Sequence, residues 1–60
     1  MSFQENLIRA RKARGMTQEE LAARLSISRQ AVSKWETGES LPDLYKLAAL
    51  ADELIEVGER

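Results

Sequence analysis

Four polar residues in one short segment carry the side chains best suited to molecular recognition: Arg29, Gln30, Ser33 and Lys34. The guanidinium of Arg29 matches the O6 and N7 acceptors of guanine, and the amide of Gln30 matches N6 and N7 of adenine. Ser33 is small enough to allow close approach and can bond a base or a phosphate. Lys34 can reach a phosphate or a guanine. On one face of a helix, all four would suit the base edges in the major groove of double-stranded DNA.

Helical periodicity does divide this segment into two faces. The four polar residues and Thr37 fall on one side, and Val32, Trp35 and Glu36 fall on the other. A polar face with two positive charges is also what any solvated helix shows. No acidic residue lies between Arg29 and Trp35, which favours DNA contact because carboxylates there would be repelled by phosphate. We expect Trp35 to belong to the core and to close this helix onto the next one.

The residue types that are absent exclude several kinds of site. The chain has no His and no Cys, so it offers no imidazole base, thiol nucleophile, thiolate metal site or disulfide. Its glycines, Gly15, Gly38 and Gly58, are too far apart for a phosphate-binding loop, and no calcium-loop motif is present. No apolar run approaches the roughly 18 residues of a membrane span. We therefore expect no catalytic residue, no metal, no cofactor, no small-molecule ligand and no membrane partner.

The charge of the chain is unevenly distributed. The formal net charge of the 60 residues is −1. Residues 1–34 hold seven basic and three acidic side chains, a net charge of +4, whereas residues 35–60 hold two basic and seven acidic ones, a net charge of −5. The near-neutral total therefore hides a basic half suited to an anionic partner and an acidic half that should face away from it.

Local signals predict four helices. Ser2 and Thr17 each precede a glutamate by three residues, which is the spacing of a capping box. Ser28 suits an N-cap. Pro42 disfavours a helical conformation at Leu41, so the next helix is expected to begin after it, with Asp43 as its N-cap. The helices are expected at about 3–14, 18–25, 29–37 and 44–54.

These elements predict an all-α fold, a compact bundle of four or five short helices in a single domain of residues 1–60. The second and third helices are joined by three residues, which is typical of a helix-turn-helix. Residues 55–60 are expected to form a frayed tail or to extend the fourth helix. The inner stripe of the fourth helix is expected to consist of Leu44, Leu47, Ala48, Leu50, Ala51 and Leu54.

Three stretches of the chain resemble the helix-turn-helix of the phage-repressor/Cro (XRE) family: TQEELA at 17–22, SRQAVSKWETG at 28–38 and LPDL at 41–44. The resemblance covers about residues 3–54. It implies a repressor-like DNA-binding domain of a transcriptional regulator, which binds double-stranded operator DNA, commonly as a homodimer on an inverted repeat. It also implies a cytoplasmic, nucleoid-associated protein of bacterial or phage type.

The resemblance assigns roles to individual residues. Bases would be read by Arg29 and Gln30, with Ser33 and Lys34 one turn further on. A structural ion pair would join Arg11 to Glu36. Gln18 would bond a phosphate and brace the first base-reading side chain. The phosphate contacts implied for the family's pattern are at Thr17, Gln18, Ser28, Lys34, Thr37 and Gly38.

Two features depart from the family's pattern. Ser26 stands in the turn where glycine is common, and a left-handed backbone there would cost about 1 kcal/mol. The family also continues into a fifth helix that often contributes to dimerisation, whereas here only residues 55–60 follow the fourth helix.

A different class of function also fits these observations. The same scaffold could serve as a protein-interaction module, such as an antitoxin half or an adaptor, without reading DNA specifically. The acidic second half and the apolar residues Ile55 and Val57 motivate this alternative.

Overall fold

The computed structural model describes residues 2–54, and within that range it contains four α-helices and no strand. The predictions for residues 55–60, including Ile55 and Val57, concern residues outside this range. None of the described helices is long and apolar enough to cross a membrane. The helices are α1 (Phe3–Ala13), α2 (Gln18–Leu25), α3 (Arg29–Thr37) and α4 (Leu44–Leu54).

Each helix begins at a side chain that accepts a hydrogen bond from the first turn. Ser2 and Thr17 form complete capping boxes with the glutamates three residues later. Ser28 Oγ accepts from the Ala31 amide at 3.2 Å, and Asp43 Oδ1 accepts from the Lys46 amide at 2.8 Å. These bonds satisfy amides that have no partner within the helix, so the four starts are set by local sequence.

The ends of the first three helices coincide with sharp changes of the backbone. Helix α1 stops at Ala13, one residue before the expected Arg14, because Arg14 is the C-cap and Gly15 follows in the left-handed region at φ 72°. Gly38 ends α3 at φ 84°. Ser26 ends α2 at φ 59° and ψ 42°, so the turn keeps a left-handed conformation although it lacks a glycine.

The core lies where α2 and α3 pack against each other. Leu21 and Val32 are fully buried at its centre, and Trp35 belongs to the same cluster. Helix α3 also packs against α1, whereas the main contacts of α4 are with α2. Trp35 is buried in one cluster with Leu50 of α4, as its expected place in the core requires, although α3 as a whole packs chiefly against α2 and α1. The remaining buried apolar residues are Leu7, Ala22, Leu25 and Leu50.

The predicted inner stripe of α4 is largely wrong. Of its six members only Leu50 is buried, and Leu54 is half-buried against the core. Helix α4 instead packs Ala49, Leu50 and Leu54 against the core cluster, and the rest of the stripe is exposed. Apolar residues occupy so much of the circumference of α4 that periodicity alone does not choose between faces. The exposed members of the predicted stripe are Leu44, Leu47, Ala48 and Ala51.

We expect Ser26→Gly to stabilise the protein. A left-handed backbone costs an ordinary residue about 1–2 kcal/mol, and the greater freedom of glycine in the unfolded chain offsets about 0.5–1 kcal/mol of that gain. The free energy of unfolding in urea should therefore rise by about 0.5–1 kcal/mol.

Gly15→Ala is the matched control with the opposite sign. No atom lies within 4 Å of a Cβ added at Gly15, so only its φ of 72° opposes the substitution. The loss should be about 1 kcal/mol. A Ser26→Gly variant that unfolds at the same or lower urea concentration would contradict the assignment of strain to Ser26.

Candidate nucleic-acid interface

The outer edge of α3 presents the residues expected to read bases. Arg29, Gln30 and Lys34 are exposed, and Ser33 is half-buried at the border of the core. The spacing of one helical turn between the first pair and the second places all four on one side of α3. The opposite side carries the buried Val32 and Trp35, so the packing of α3 on α2 holds the polar edge outward.

The N-terminal ends of α2 and α3 carry hydroxyls already engaged as caps. Thr17 Oγ1 accepts from the Glu20 amide at 3.0 Å, and Ser28 Oγ accepts from the Ala31 amide. In both cases the hydroxyl acts as acceptor, so its proton remains available as a donor toward an anion. A hydroxyl at a helix N-terminus is well placed for phosphate because the amides there carry partial positive charge.

Gln18 connects the outer edge of α3 to the buried Glu36. Its Oε1 accepts from Arg29 Nη1 at 3.3 Å, and its Nε2 donates to Glu36 Oε1 at 2.9 Å. Gln18 therefore braces the Arg29 side chain, whose guanidinium remains exposed at the outer edge of α3. The bond from Gln18 to Glu36 was not expected from sequence, because no local pattern relates residues 18 positions apart.

Arg11 and Glu36 form a buried ion pair between α1 and the last turn of α3. Arg11 Nε donates to Glu36 Oε2 at 2.7 Å, and Arg11 Nη2 donates to Glu36 Oε1 at 3.2 Å. The two side chains are only 10% and 6% exposed. Arg11 Nη1 also donates to the carbonyl of Met16 at 2.8 Å, so the same guanidinium holds the segment that leads into α2.

The C-terminal end of α3 is organised around one carbonyl. The Lys34 carbonyl accepts from the Gly38 amide, from the Glu39 amide at 2.9 Å and from Thr37 Oγ1 at 3.2 Å. The Gly38 amide is therefore engaged within the turn, and a phosphate would have to share or displace that bond. The side chain of Gln4 lies against Gly38, where a Cβ would stand 2.6 Å from its Nε2.

Two further contacts between distant residues were not expected from the sequence. Gln4 covers the turn at Gly38, and Arg24 Nη1 forms an ion pair with Glu53 Oε1 at 3.3 Å. Both join residues far apart in the chain, and neither has a spacing signal. Among the residues that the structure describes, no group of three carboxylates could hold a metal ion.

Arg11→Met should be strongly destabilising. The substitution leaves the Glu36 carboxylate buried without its charged partner, which typically costs about 3–5 kcal/mol. Arg24→Met makes the same chemical change at an ion pair whose arginine is 58% exposed, and there the loss should stay below about 1 kcal/mol. Urea denaturation of the two variants measures both values, and equal losses would show that the Arg11 pair is no more important than a surface pair.

Comparison with known proteins agrees with a helix-turn-helix formed by α2 and α3. A family model described as helix-turn-helix matches residues 7–57. The chain is 41% identical over 51 residues to the HTH-type transcriptional activator BcrR of Enterococcus faecalis, covering 85% of this chain and 25% of that protein. It is 39% identical over 54 residues to the cryptic phage CTXphi transcriptional repressor RstR of Vibrio cholerae serotype O1, covering 90% of this chain and 48% of that protein.

The chain thus spans a quarter of one curated relative and about half of the other. No solved structure matches it significantly. The family model covers most of the chain, including both helices of the helix-turn-helix and the buried pair at Arg11 and Glu36. The chain therefore belongs to the helix-turn-helix family, of the phage-repressor/Cro (XRE) type that its sequence resembles.

Proposed function

We propose that the chain is the DNA-reading domain of a transcriptional regulator and that α3 enters the major groove of double-stranded DNA. The observation that carries this proposal is the outer edge of α3, where Arg29, Gln30 and Lys34 are exposed and no acidic residue interrupts them. Both curated relatives are named as transcriptional regulators, one an activator and one a repressor, which supports the class of function. Association with the nucleoid would follow from DNA binding.

Base reading is assigned to four side chains. Arg29 would bond O6 and N7 of guanine, and Gln30 would bond N6 and N7 of adenine, each through two hydrogen bonds. Ser33, one turn further along α3, would contact a base or a phosphate at close approach. Lys34 would reach a guanine or the backbone as a point charge.

Phosphate contacts would surround this reading edge and supply most of the affinity. At one end, Thr17, Gln18 and Ser28 lie at the starts of α2 and α3, where hydroxyl and amide donors meet the positive ends of the helices. At the other end, Lys34 and Thr37 lie in the last turns of α3. Gly38 would contribute to this end mainly by allowing the left-handed turn, since its amide already donates to the Lys34 carbonyl.

Arg29→Ala should lower affinity for the preferred site by about 1–3 kcal/mol and relax specificity at one base pair. The preferred site is found first, by selection from random duplexes with the unaltered protein. Titration against the selected site and its single-base variants then gives the change. An equal loss on selected and random DNA would show that Arg29 contacts only phosphate.

The same titrations at several salt concentrations distinguish DNA reading from the protein-interaction alternative. A groove-binding domain that neutralises several phosphates loses affinity steeply as salt rises. An apolar protein interface is much less sensitive to salt. Failure to enrich any duplex, together with salt-insensitive binding to a protein partner, would favour the interaction module.

We further propose that two copies bind an inverted repeat as a homodimer. Support comes from a large exposed apolar surface around the start of α4, formed by Leu41, Leu44, Tyr45 and Leu47. Leu44 and Tyr45 are 76% and 85% exposed, which is unusual for such side chains in a small domain. A dimer formed through this surface would have to place its two α3 helices about 34 Å apart, one turn of the duplex.

Leu44→Ser combined with Tyr45→Ser tests the dimer. The pair should abolish the complex of two chains on a full inverted repeat while leaving binding to a single half-site intact, because neither residue lies on α3. Analytical ultracentrifugation with labelled duplexes measures the stoichiometry. Selection of an asymmetric site that is bound by one unaltered chain would contradict the proposal.

A further inference from the structure

A continuous path of hydrogen bonds runs from the buried ion pair to the reading edge. Arg11 donates to Glu36, Gln18 donates to the same Glu36 oxygen, and Arg29 donates to Gln18. Glu36 has a side chain only 6% exposed, whereas Arg29 is at the surface. One carboxylate inside the protein is therefore two hydrogen bonds away from the guanidinium assigned to guanine.

The chemistry of Glu36 decides how Gln18 is oriented. An ionised carboxylate accepts hydrogen bonds and donates none. Only the NH₂ end of the Gln18 amide can therefore face Glu36, at the observed 2.9 Å. The carbonyl end must then point the other way, where it accepts from Arg29 Nη1 at 3.3 Å. With the amide reversed, two donors would face each other at Arg29, and an acceptor would face an acceptor at Glu36.

We propose that Glu36 is a positioning residue for sequence recognition and that it acts on Arg29 through the amide of Gln18. This inference rests on the proposed function of α3. It adds that specificity at the base pair read by Arg29 depends on a buried residue that does not reach the DNA.

The tether matters because of the nature of the Arg29 side chain. A free arginine at the surface loses considerable conformational freedom when it is held against a base. Anchoring Nη1 to Gln18 restricts the side chain before DNA arrives and leaves Nε and Nη2 as a free edge for the two acceptors of guanine. A guanidinium held in this way favours one base at one position, whereas an untethered one can turn to a neighbouring phosphate.

Glu36 can act in this way because it is itself immobilised. Arg11 holds both of its oxygens, and a third bond from Arg11 to the Met16 carbonyl fixes that guanidinium between α1 and α2. Glu36 also follows Trp35, which is buried in the core. Glu36 therefore fixes the orientation of the Gln18 amide relative to the core of the protein.

Glu36→Gln tests the inference with a nearly isosteric change. In the orientation that keeps the amide oxygen on Arg11 Nε, the 2.7 Å bond, the NH₂ group takes the place of Oε1 and faces Gln18, and the 3.2 Å bond from Arg11 Nη2 is lost. Gln18 would then reverse and present its own NH₂ group to Arg29. A bidentate arginine–guanine contact is worth about 5- to 150-fold in base discrimination, and we expect the variant to lose about fivefold or more of it at that one base pair.

Glu53→Gln is the matched control. It removes the same charge from the ion pair that Glu53 on α4 forms with Arg24 on α2. Discrimination at every base pair should be unchanged in this variant. The measurement is the ratio of dissociation constants for the selected site and its single-base variants, with thermal unfolding followed by circular dichroism to establish that each protein is folded at the assay temperature.

Two further variants keep the test decisive if Glu36→Gln is poorly folded. Gln18→Met removes the bridge but leaves the Arg11–Glu36 pair intact. It should lose discrimination at the same base pair, whereas loss of a phosphate contact alone would weaken all sites equally. Replacing Arg11 and Glu36 together by Met substitutes apolar side chains for the whole pair, a change that proteins often tolerate, and it should show the same selective loss.

A double-mutant cycle with Arg29→Ala completes the design. In that background Glu36→Gln should have no further effect on base preference, because the side chain through which it acts is gone. Suppose that Arg29→Ala lowers discrimination at one base pair but Glu36→Gln and Gln18→Met leave discrimination at that base pair unchanged. The positioning role of Glu36 is then overturned, while the proposed function stands. If the unaltered protein prefers no duplex sequence, the proposed function and this inference both fail.

Discussion

The ion pair between Arg11 and Glu36 is the constraint on which the rest of the structure depends. Two nearly buried charges are tolerable only if each satisfies the other with good geometry. Here the guanidinium uses Nε and Nη2 for the carboxylate and Nη1 for the Met16 carbonyl. Because Arg11 belongs to α1, Glu36 to α3, and Met16 leads into α2, this single cluster sets the relative placement of three helices.

The outer edge of α3 inherits its geometry from that cluster. Helix α3 is short, and the positions of its exposed side chains are defined only if the whole helix is held at a fixed angle to α2. Packing of Val32 and Trp35 supplies the apolar part of that hold, and the polar part passes from Glu36 through Gln18 to Arg29. The buried ion pair and the exposed Arg29 are therefore joined by hydrogen bonds, which distinguishes α3 from an ordinary solvated helix with the same charges.

The charge distribution and the position of α4 complete the arrangement. Most of the basic residues belong to α1, α2 and α3, and most of the acidic ones follow them in the chain. Helix α4 packs mainly on α2 and leaves Leu44 and Tyr45 at the surface. The expected inner stripe was wrong here because the apolar residues of α4 cover too wide an arc for periodicity to choose the buried side.

The sequence by itself determined the four helices, their caps and the polar edge of α3, because these features depend on interactions between residues about four positions apart or fewer. The pair at Arg11 and Glu36 was expected only through resemblance to a family, and its geometry came from the structure. Tertiary structure alone decided which face of α4 is buried and that Gln18 bonds Glu36 across 18 positions. Such contacts follow from the packing angles of whole helices, which no local pattern encodes.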